Sequence, residues 1–430
     1  MALTGRAMVL LALGIVPVLL VPQWVTLVTW LALWAGLLGV DAARAAPVSD
    51  VRLRRSTIPA LRHGQEAVSQ LQVLNTAPRV LRAVVRDAWQ PSAGAGVTRH
   101  RLVVPPGELR RVSTGLRPWR RGDIRAAGVT VRSFGPLGLL ARQRTAHVPG
   151  LARVLPEFSS RRHLPSRLAR LREMDGRTAV HVRGQGTEFD SLREYVIGDD
   201  VRAIDWRASA RRADVVVRTW RPERDRRVFI VLDTSRLSAA RLGHAPRLDA
   251  GIEAALLLSA LATRAGDRVE LVAVDHAVHT RVRGAQGAAL MSNLAEGLAQ
   301  VEPDLVEPDW PLVAREVRER LSQRSLVVIL TALEPGAVES GLISVAAAIG
   351  RDHQVLLASA EDPDADRMRL QRTSTAELFD AAAAERAELE RAALAQRLTR
   401  TGARVVRRGP EDLAPGVADS YLALKSAGLL

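Results

Sequence analysis

VFIVLDTSRLSAARLGHAPRLDAGIEAALLLSALATRAGDRVELVAVD, residues 228–275, carries the decision about the fold. It opens on VFIVLD (228–233), an apolar run short enough for a buried strand and ending in a carboxylate. A long apolar helix follows, about Arg247–Ala265, stopping near Gly266-Asp267, and RVELVAVD (268–275) reads as the next strand. The alternation continues to the carboxy terminus. Helices are expected at 287–301, 311–322, 337–350, 376–400 and near 411–427, with strands SLVVILT (325–331), HQVLLAS (353–359) and ARVVRR (403–408) between them. Apolar strands separated by helices predict a parallel sheet with helices on both faces, so residues 228–430 are expected to form an α/β domain. Ligands of such folds sit at the carboxyl ends of the strands, where Asp233-Thr234-Ser235 falls.

Upstream of the first strand, residues 184–227 hold the densest chemistry in the chain. GQGTEFDSLREYVIGDDVRAIDWRASARRADVVVRTWR (184–221) alternates acids with arginines and sets Phe189, Tyr195, Trp206 and Trp220 among them. Charges at this density are costly to bury unpaired, which predicts an ordered ion-pair network. Arg193, Arg202, Arg207 and Arg211 are expected to pair with neighbouring acids. Phe189, Tyr195 and Trp206 are expected to pack the segment onto the α/β body, leaving Asp199-Asp200 exposed after Gly198. Residues 157–183 form a basic connector, partly helical around Pro165–Met174, read as a solvated face. Residues 50–156 break into alternating runs of four to eight residues punctuated by proline and glycine, the pattern of a small all-β, sandwich-like domain.

No charge occurs between Ala7 and Val40. As one helix this stretch would be about 50 Å long, against a hydrocarbon core of about 30 Å. Pro17 and Pro22-Gln23 fall where a turn would divide it. Residues 1–44 are therefore read as two transmembrane helices, about 7–21 and 24–40, with Trp24 as an interfacial anchor; one tilted or kinked span is the alternative. Arg6 on one side and Arg44, Arg52, Arg54 and Arg55 on the other put the bulk of the chain in the cytoplasm.

Composition excludes several chemistries. The chain has no cysteine, hence no disulfide, thiol catalysis or cysteine-ligated metal. Its only lysine is Lys425, so neither a Walker-type phosphate loop nor lysine Schiff-base chemistry fits near the motifs above. The net charge is +15, but arginines are interleaved with acids throughout, a distribution that argues against nucleic acid as a partner.

Two resemblances sharpen this reading. Asp233-Thr234-Ser235 after a first strand, with a long helix about a dozen residues later, resembles a von Willebrand factor A domain. The resemblance implies a Mg²⁺ site built from a D-x-S-x-S loop with further Thr and Asp ligands. Here Leu237 replaces the second Ser, and Ala332 stands in Thr331-Ala332-Leu333 where an Asp is common. What remains is a degenerate site, Asp233 and Ser235, serving loop hydrogen bonding; no cofactor is expected, and Mg²⁺ is the ion to test. The second resemblance covers essentially the whole chain. Gly184, Gly186, Glu188, Phe189, Asp190, Arg193 and Tyr195, then Gly198, Asp199, Asp200, Arg202, Asp205, Trp206, Arg207, Ser209 and Arg211, are similar to the signature of the domain of unknown function 58 family. That resemblance implies a bacterial inner-membrane protein with two amino-terminal spans, a β-rich region and a von Willebrand A-like domain, encoded beside a MoxR-type AAA+ ATPase.

The expected function is that of a membrane-anchored, non-enzymatic adaptor. It would act with such an ATPase in chaperone-like assembly or maturation, its other partners being membrane or envelope proteins and the bilayer itself. The alternative is a carboxylate- or metal-dependent hydrolase using Glu188, Asp190, Asp199, Asp200 and Asp205. Each of those acids has an arginine close in sequence, which suggests pairing rather than an open site. His276-x-x-His279 lacks a third evident ligand and is read as a satisfied or exposed pair.

Overall fold

A computed structural model describes residues 2–181, 188–197, 199–212, 214–221, 226–335 and 341–430, with backbone alone at 175–181, 188–191, 212 and 219–221. The chain is mixed α/β and divides into two compact units, Met1–Glu157 and Phe158–Leu430.

The first unit opens with the apolar segment. Its first half forms two short helices, Gly5–Leu13 and Ile15–Leu20, parted at Gly14, where a Cβ would lie 2.1 Å from the Trp30 ring. The second half is one helix, Trp24–Arg44. Among the described residues it contains the one segment long and apolar enough to cross a membrane, where the sequence suggested two. The helix runs past the expected end at Val40 because its last turn is tied to the β unit. The buried Asp41 carboxylate accepts the backbone N–H groups of Leu137 (2.8 Å), Leu139 (2.8 Å) and Leu140 (2.9 Å). Gly135 permits this approach, since a Cβ there would sit 2.1 Å from Asp41 Oδ1. The terminal carbonyls, which a helix leaves without partners, are taken by Arg142 on Ala42 and Arg79 on Ala43.

Two sheets follow. Strands Val51–Arg55, Ala67–Asn75 and Leu109–Leu116 form one; Leu81–Trp89 and Gly122–Phe134 are the longest of the other. The period-2 alternation read in the sequence points Leu71, Val73 and Val112 of one sheet and Leu81, Val85 and Val131 of the other into a shared core. A buried ion pair spans the two sheets. Arg55 meets Asp87 through two bonds, Nη1 to Oδ2 (2.9 Å) and Nη2 to Oδ1 (2.6 Å), and stacks 4.8 Å over the Trp89 ring.

The second unit is built on six strands: β1 (Arg227–Asp233), β2 (Arg268–Val274), β3 (Val278–Val282), β4 (Leu326–Leu330), β5 (Gln354–Ala360) and β6 (Arg404–Arg408). Their spatial order is β3-β2-β1-β4-β5-β6. All neighbours are parallel except β3, which pairs antiparallel with β2 and corrects the all-parallel expectation. Its sequence, VHTRV, is half-exposed at an edge and lacks the continuous apolar run that betrays the buried parallel strands.

The main helices are α1 (Arg247–Arg264), α2 (Gly287–Ala299), α3 (Trp310–Arg320), α4 (Leu342–Gly350), α5 (Thr375–Arg400) and α6 (Pro410–Ser426). Alternate β1 residues feed opposite cores. Val228, Ile230 and Leu232 pack with α1, α2 and α6 through Leu257, Leu294 and Tyr421. Phe229 and Val231 pack with α3, α4 and α5 through Trp310, Ile349 and Leu398. Each such side chain contributes about 1.5–3 kcal/mol when fully buried, so the sheet holds a rigid frame for whatever its loops carry. The connector is less solvated than its charge suggested. It forms a helix, Leu164–His181, whose Arg167 (2.7 Å) and Arg170 (3.2 Å) both reach Asp419 on α6.

Candidate functional site

The signature segment folds as an antiparallel hairpin, Glu188–Glu194 with Val216–Arg221, closed by a loop and a short helix, Trp206–Arg212. Three aspartates organise the closure. Asp199 Oδ2 accepts from the Val196 N–H (2.9 Å), and Oδ1 takes Arg193 Nη2 at 2.6 Å. Asp200 Oδ1 caps a single 3₁₀ turn through the Arg202 N–H (2.9 Å). Asp205 Oδ1 caps the short helix through Arg207 N (3.1 Å) and Ala208 N (3.0 Å), while Oδ2 takes Arg218 Nε at 2.8 Å across the hairpin. Ser209 Oγ donates to the Asp205 carbonyl and accepts from Val216 N (2.9 Å), fastening helix to strand.

These contacts hold two of the carboxyls below the usual carboxylate range: Asp199 chiefly through the Arg193 guanidinium, Asp205 through the Ala208 N–H and then Arg218. A carboxylate kept ionised in this way is a poor proton donor. Val216 and Val217 are buried, but other apolar side chains of the closure are exposed. Ile197 is 96% exposed, Trp206 69%, and Val196 and Val201 61% each.

A second constellation lies at the carboxyl ends of β1, β2 and β4, where the strand order reverses direction between β1 and β4, the place such sheets use for ligands. Asp233 is buried; its Oδ1 accepts from Ser235 N (2.8 Å) and its Oδ2 from Thr331 Oγ1 (2.5 Å). Burial pushes this carboxyl up, beyond what those hydrogen bonds restore. Asp275, at the end of β2, is also buried yet shifted down. Burial opposes the shift, but the Ala277 N–H (3.0 Å), His279 Nε2 (2.6 Å) and Thr234 Oγ1 (3.0 Å) outweigh it. His276 Nδ1 reaches the other oxygen at 2.9 Å, so Asp275 is the shared partner that the histidine pair lacked in the sequence.

A Mg²⁺ ion does not fit this arrangement as it stands. Both Asp233 oxygens are occupied by neutral donors, and Leu237 and Ala332 are buried where oxygen ligands would be needed. The adjoining cavity, lined by Leu232, Ser238, Arg247 and Thr331 among others, measures about 10 Å³, the space of a single water. Among the described residues no group of three or more His, Asp or Glu is arranged to hold a metal ion. Lys425 is a structural pin: its Nζ lies 2.9 Å from Asp267, which also accepts from Tyr421 OH.

Residues 191–407, half of the chain, match the family model described as protein of unknown function DUF58. The chain belongs to this family. Its relatives include the uncharacterized protein YeaD of Bacillus subtilis, 22% identical over 57% of this chain and 58% of that protein. Another is the uncharacterized protein Rv1480 of Mycobacterium tuberculosis, 26% identical over 35% of this chain and 48% of that one. The chain thus spans about half the length of the curated relatives it matches. Among solved structures, the SpRpn10 VWA domain aligns at a TM-score of 0.29 and 10% identity, over 46% of this chain and 94% of that one. The PapD-like domain of human CEP192 aligns at 0.20 and 14%, over 24% and 84%. Likenesses this distant carry no argument here.

Within the DUF58 signature, the expected pairing of Arg193 is present, whereas Arg202 and Arg207 meet acids through their backbone N–H groups. Among the described residues neither they nor Arg211 form a side-chain ion pair; Asp205 takes Arg218 instead, because the Ile204–Val217 bridge and the Asp205 N–H bond to the Val216 carbonyl lay it against that strand. Asp199 is half-buried in its ion pair rather than free, and Asp200 is exposed. Trp206 does not pack onto the α/β body; it heads the short helix with its ring largely in solvent. Tyr195 is half-buried. Gly184, Gly186 and Gly198 lie outside the described residues, as do the side chains of Glu188, Phe189 and Asp190. Sequence reading passed over Thr331 and Asp275 as site residues, although a carboxylate ending two successive strands was a visible signal for the latter.

Proposed function

We propose that this DUF58 protein is a membrane-anchored, non-enzymatic interaction protein, its body in the bacterial cytoplasm. It works with a MoxR-type AAA+ ATPase in the assembly or maturation of other membrane or envelope proteins. The observation that carries the reading is a division of labour in the signature: Asp199 and Asp205 hold its loops and pair with arginines, while Ile197 and Trp206 are exposed. An exposed apolar group fixed on a charged, ordered frame is the form of a protein-docking surface. The helix Trp24–Arg44 supports the tether, and the sheet order, read as von Willebrand A-like, supports a binding body. Against the hydrolase alternative stands the engagement of Asp199 and Asp205, each held by an arginine and by backbone N–H groups.

The test is co-purification of the detergent-extracted chain with a MoxR-type ATPase from the same genome, with and without nucleotide. Trp206→Ala and Ile197→Ser should each abolish or sharply weaken recovery while leaving thermal stability unchanged. No association of the wild-type chain in either nucleotide state sinks the proposal.

A further inference from the structure

Strand β6 ends the sheet, and among the described residues no strand pairs with its outer side. The Arg408 carbonyl accepts from the Glu361 N–H, so it faces β5. Alternation along a parallel strand then turns the N–H and C=O of Arg404, Val406 and Arg408 inward and those of Val405 and Arg407 outward. The Arg407 carbonyl bears this out, receiving the Arg408 guanidinium at 2.9 Å from the open side. A cleft flanks the edge on each face of the sheet. One, of about 510 Å³, lies between β6 and α6, lined by Val406, Pro415, Gly416 and Ala423. The other, of about 500 Å³, lies between β6 and α5, lined by Val405, Ala395 and Thr399.

Basic side chains predominate on the strand itself, while two acids, Asp412 and Asp419, line the α6 cleft, and Asp419 is already paired with Arg167 and Arg170. Arg407 is consumed by Glu361 and Glu388, but Arg400, Arg404 and Arg408 are exposed and, among the described residues, take part in no ion pair. A second copy of the strand is a poor occupant: antiparallel self-pairing about Val406 would set Arg404 directly opposite Arg408. We propose that β6 is a docking edge for an extended acidic segment of a partner protein. The segment would add a strand through the backbone of Val405 and Arg407, place carboxylates against Arg404 and Arg408 on the α6 side of the sheet, and drop the alternate apolar side chains into the cleft on the α5 side. This surface is separate from the signature hairpin and does not depend on the ATPase reading.

The experiment measures fluorescence anisotropy of a labelled short peptide alternating glutamate with valine, titrated with the detergent-solubilised full chain. Binding should be saturable, weaken with salt, and be absent for the same peptide carrying lysine in place of glutamate. Methylating alternate backbone nitrogens of the glutamate peptide should cost about tenfold or more in affinity, because it removes donors that a strand addition requires. Val405→Pro should do the same, since its lost N–H serves no bond inside the sheet. Arg404→Glu with Arg408→Glu should abolish binding. Equal affinity for the N-methylated and plain peptides would overturn the proposal in favour of loose charge attraction. Absence of binding by the wild-type chain, or self-association in sedimentation that blocks the peptide, would overturn it as well; in the first case the arginines serve only to guard the edge against aggregation.

Discussion

The Arg55–Asp87 pair offers the sharpest test of how the first unit is held together. The two side chains are 1% and 0% exposed, and Ser69 Oγ (2.5 Å) and Trp89 Nε1 (3.2 Å) complete their surroundings. Asp87→Ala would leave a guanidinium in the sandwich core with a hydroxyl and an aromatic face but no counter-charge. Removing one partner of a buried pair costs about 3–5 kcal/mol, because the desolvation of the survivor is no longer offset. At about 2–4 °C per kcal/mol for a unit of this size, the melting transition of the first unit should fall by roughly 6–20 °C. Arg55→Met alone should cost a similar amount, stranding the carboxylate instead. The double variant Arg55→Met with Asp87→Val should be more stable than either single one, since apolar groups of comparable volume need no partner. Scanning calorimetry of the detergent-solubilised chain reads these shifts, and hydrogen exchange of amides 81–89 assigns them to the sandwich. If the single variants melt within about 1 kcal/mol of wild type, or the double variant is the sum of the two, the pair is not acting as a coupled buried charge pair.

Two further perturbations probe the other ends of the molecule. Asp233 has a folded-state pKa raised by burial, so its contribution to stability is complete below the unfolded carboxyl pKa, about 3.9, and is lost as pH rises through the folded value. Asp233→Asn mimics the protonated form; its denaturation midpoint should fall less than that of wild type between acid and neutral pH, and parallel curves would refute the assignment. Asp41→Ala removes the acceptor of three buried N–H groups. Hydrogen exchange at Leu137, Leu139 and Leu140 should accelerate by about tenfold or more while exchange in β1 and β4 is unchanged, and unaltered protection there would show that the helix end is not held by this carboxylate.

The α/β core was legible because parallel strands covered on both faces must be apolar throughout, so VFIVLD, SLVVILT and HQVLLAS stand out from helices with a 3.6-residue stripe. Helix starts were equally local: Ser374 and Glu377 close a capping box within four residues. The hairpin frame of the signature was not legible, because its strands carry charge at most positions and its register is set by pairing across the intervening loop.

By itself, then, the sequence determined what depends on near neighbours. That includes the alternation of strand and helix, the apolar segment, the absence of thiol and phosphate-loop chemistry, and the presence of aspartates where loops need caps. Tertiary structure decided which groups meet. Asp205 takes Arg218 rather than the arginine two residues away, and Asp87 finds Arg55 in the opposite sheet. Asp41 closes on a turn nearly a hundred residues later, and Thr331 meets Asp233 because β1 and β4 are neighbours. Periodicity and propensity act over one or two turns of chain; the partner of a buried charge is chosen by register and topology, which no local pattern encodes.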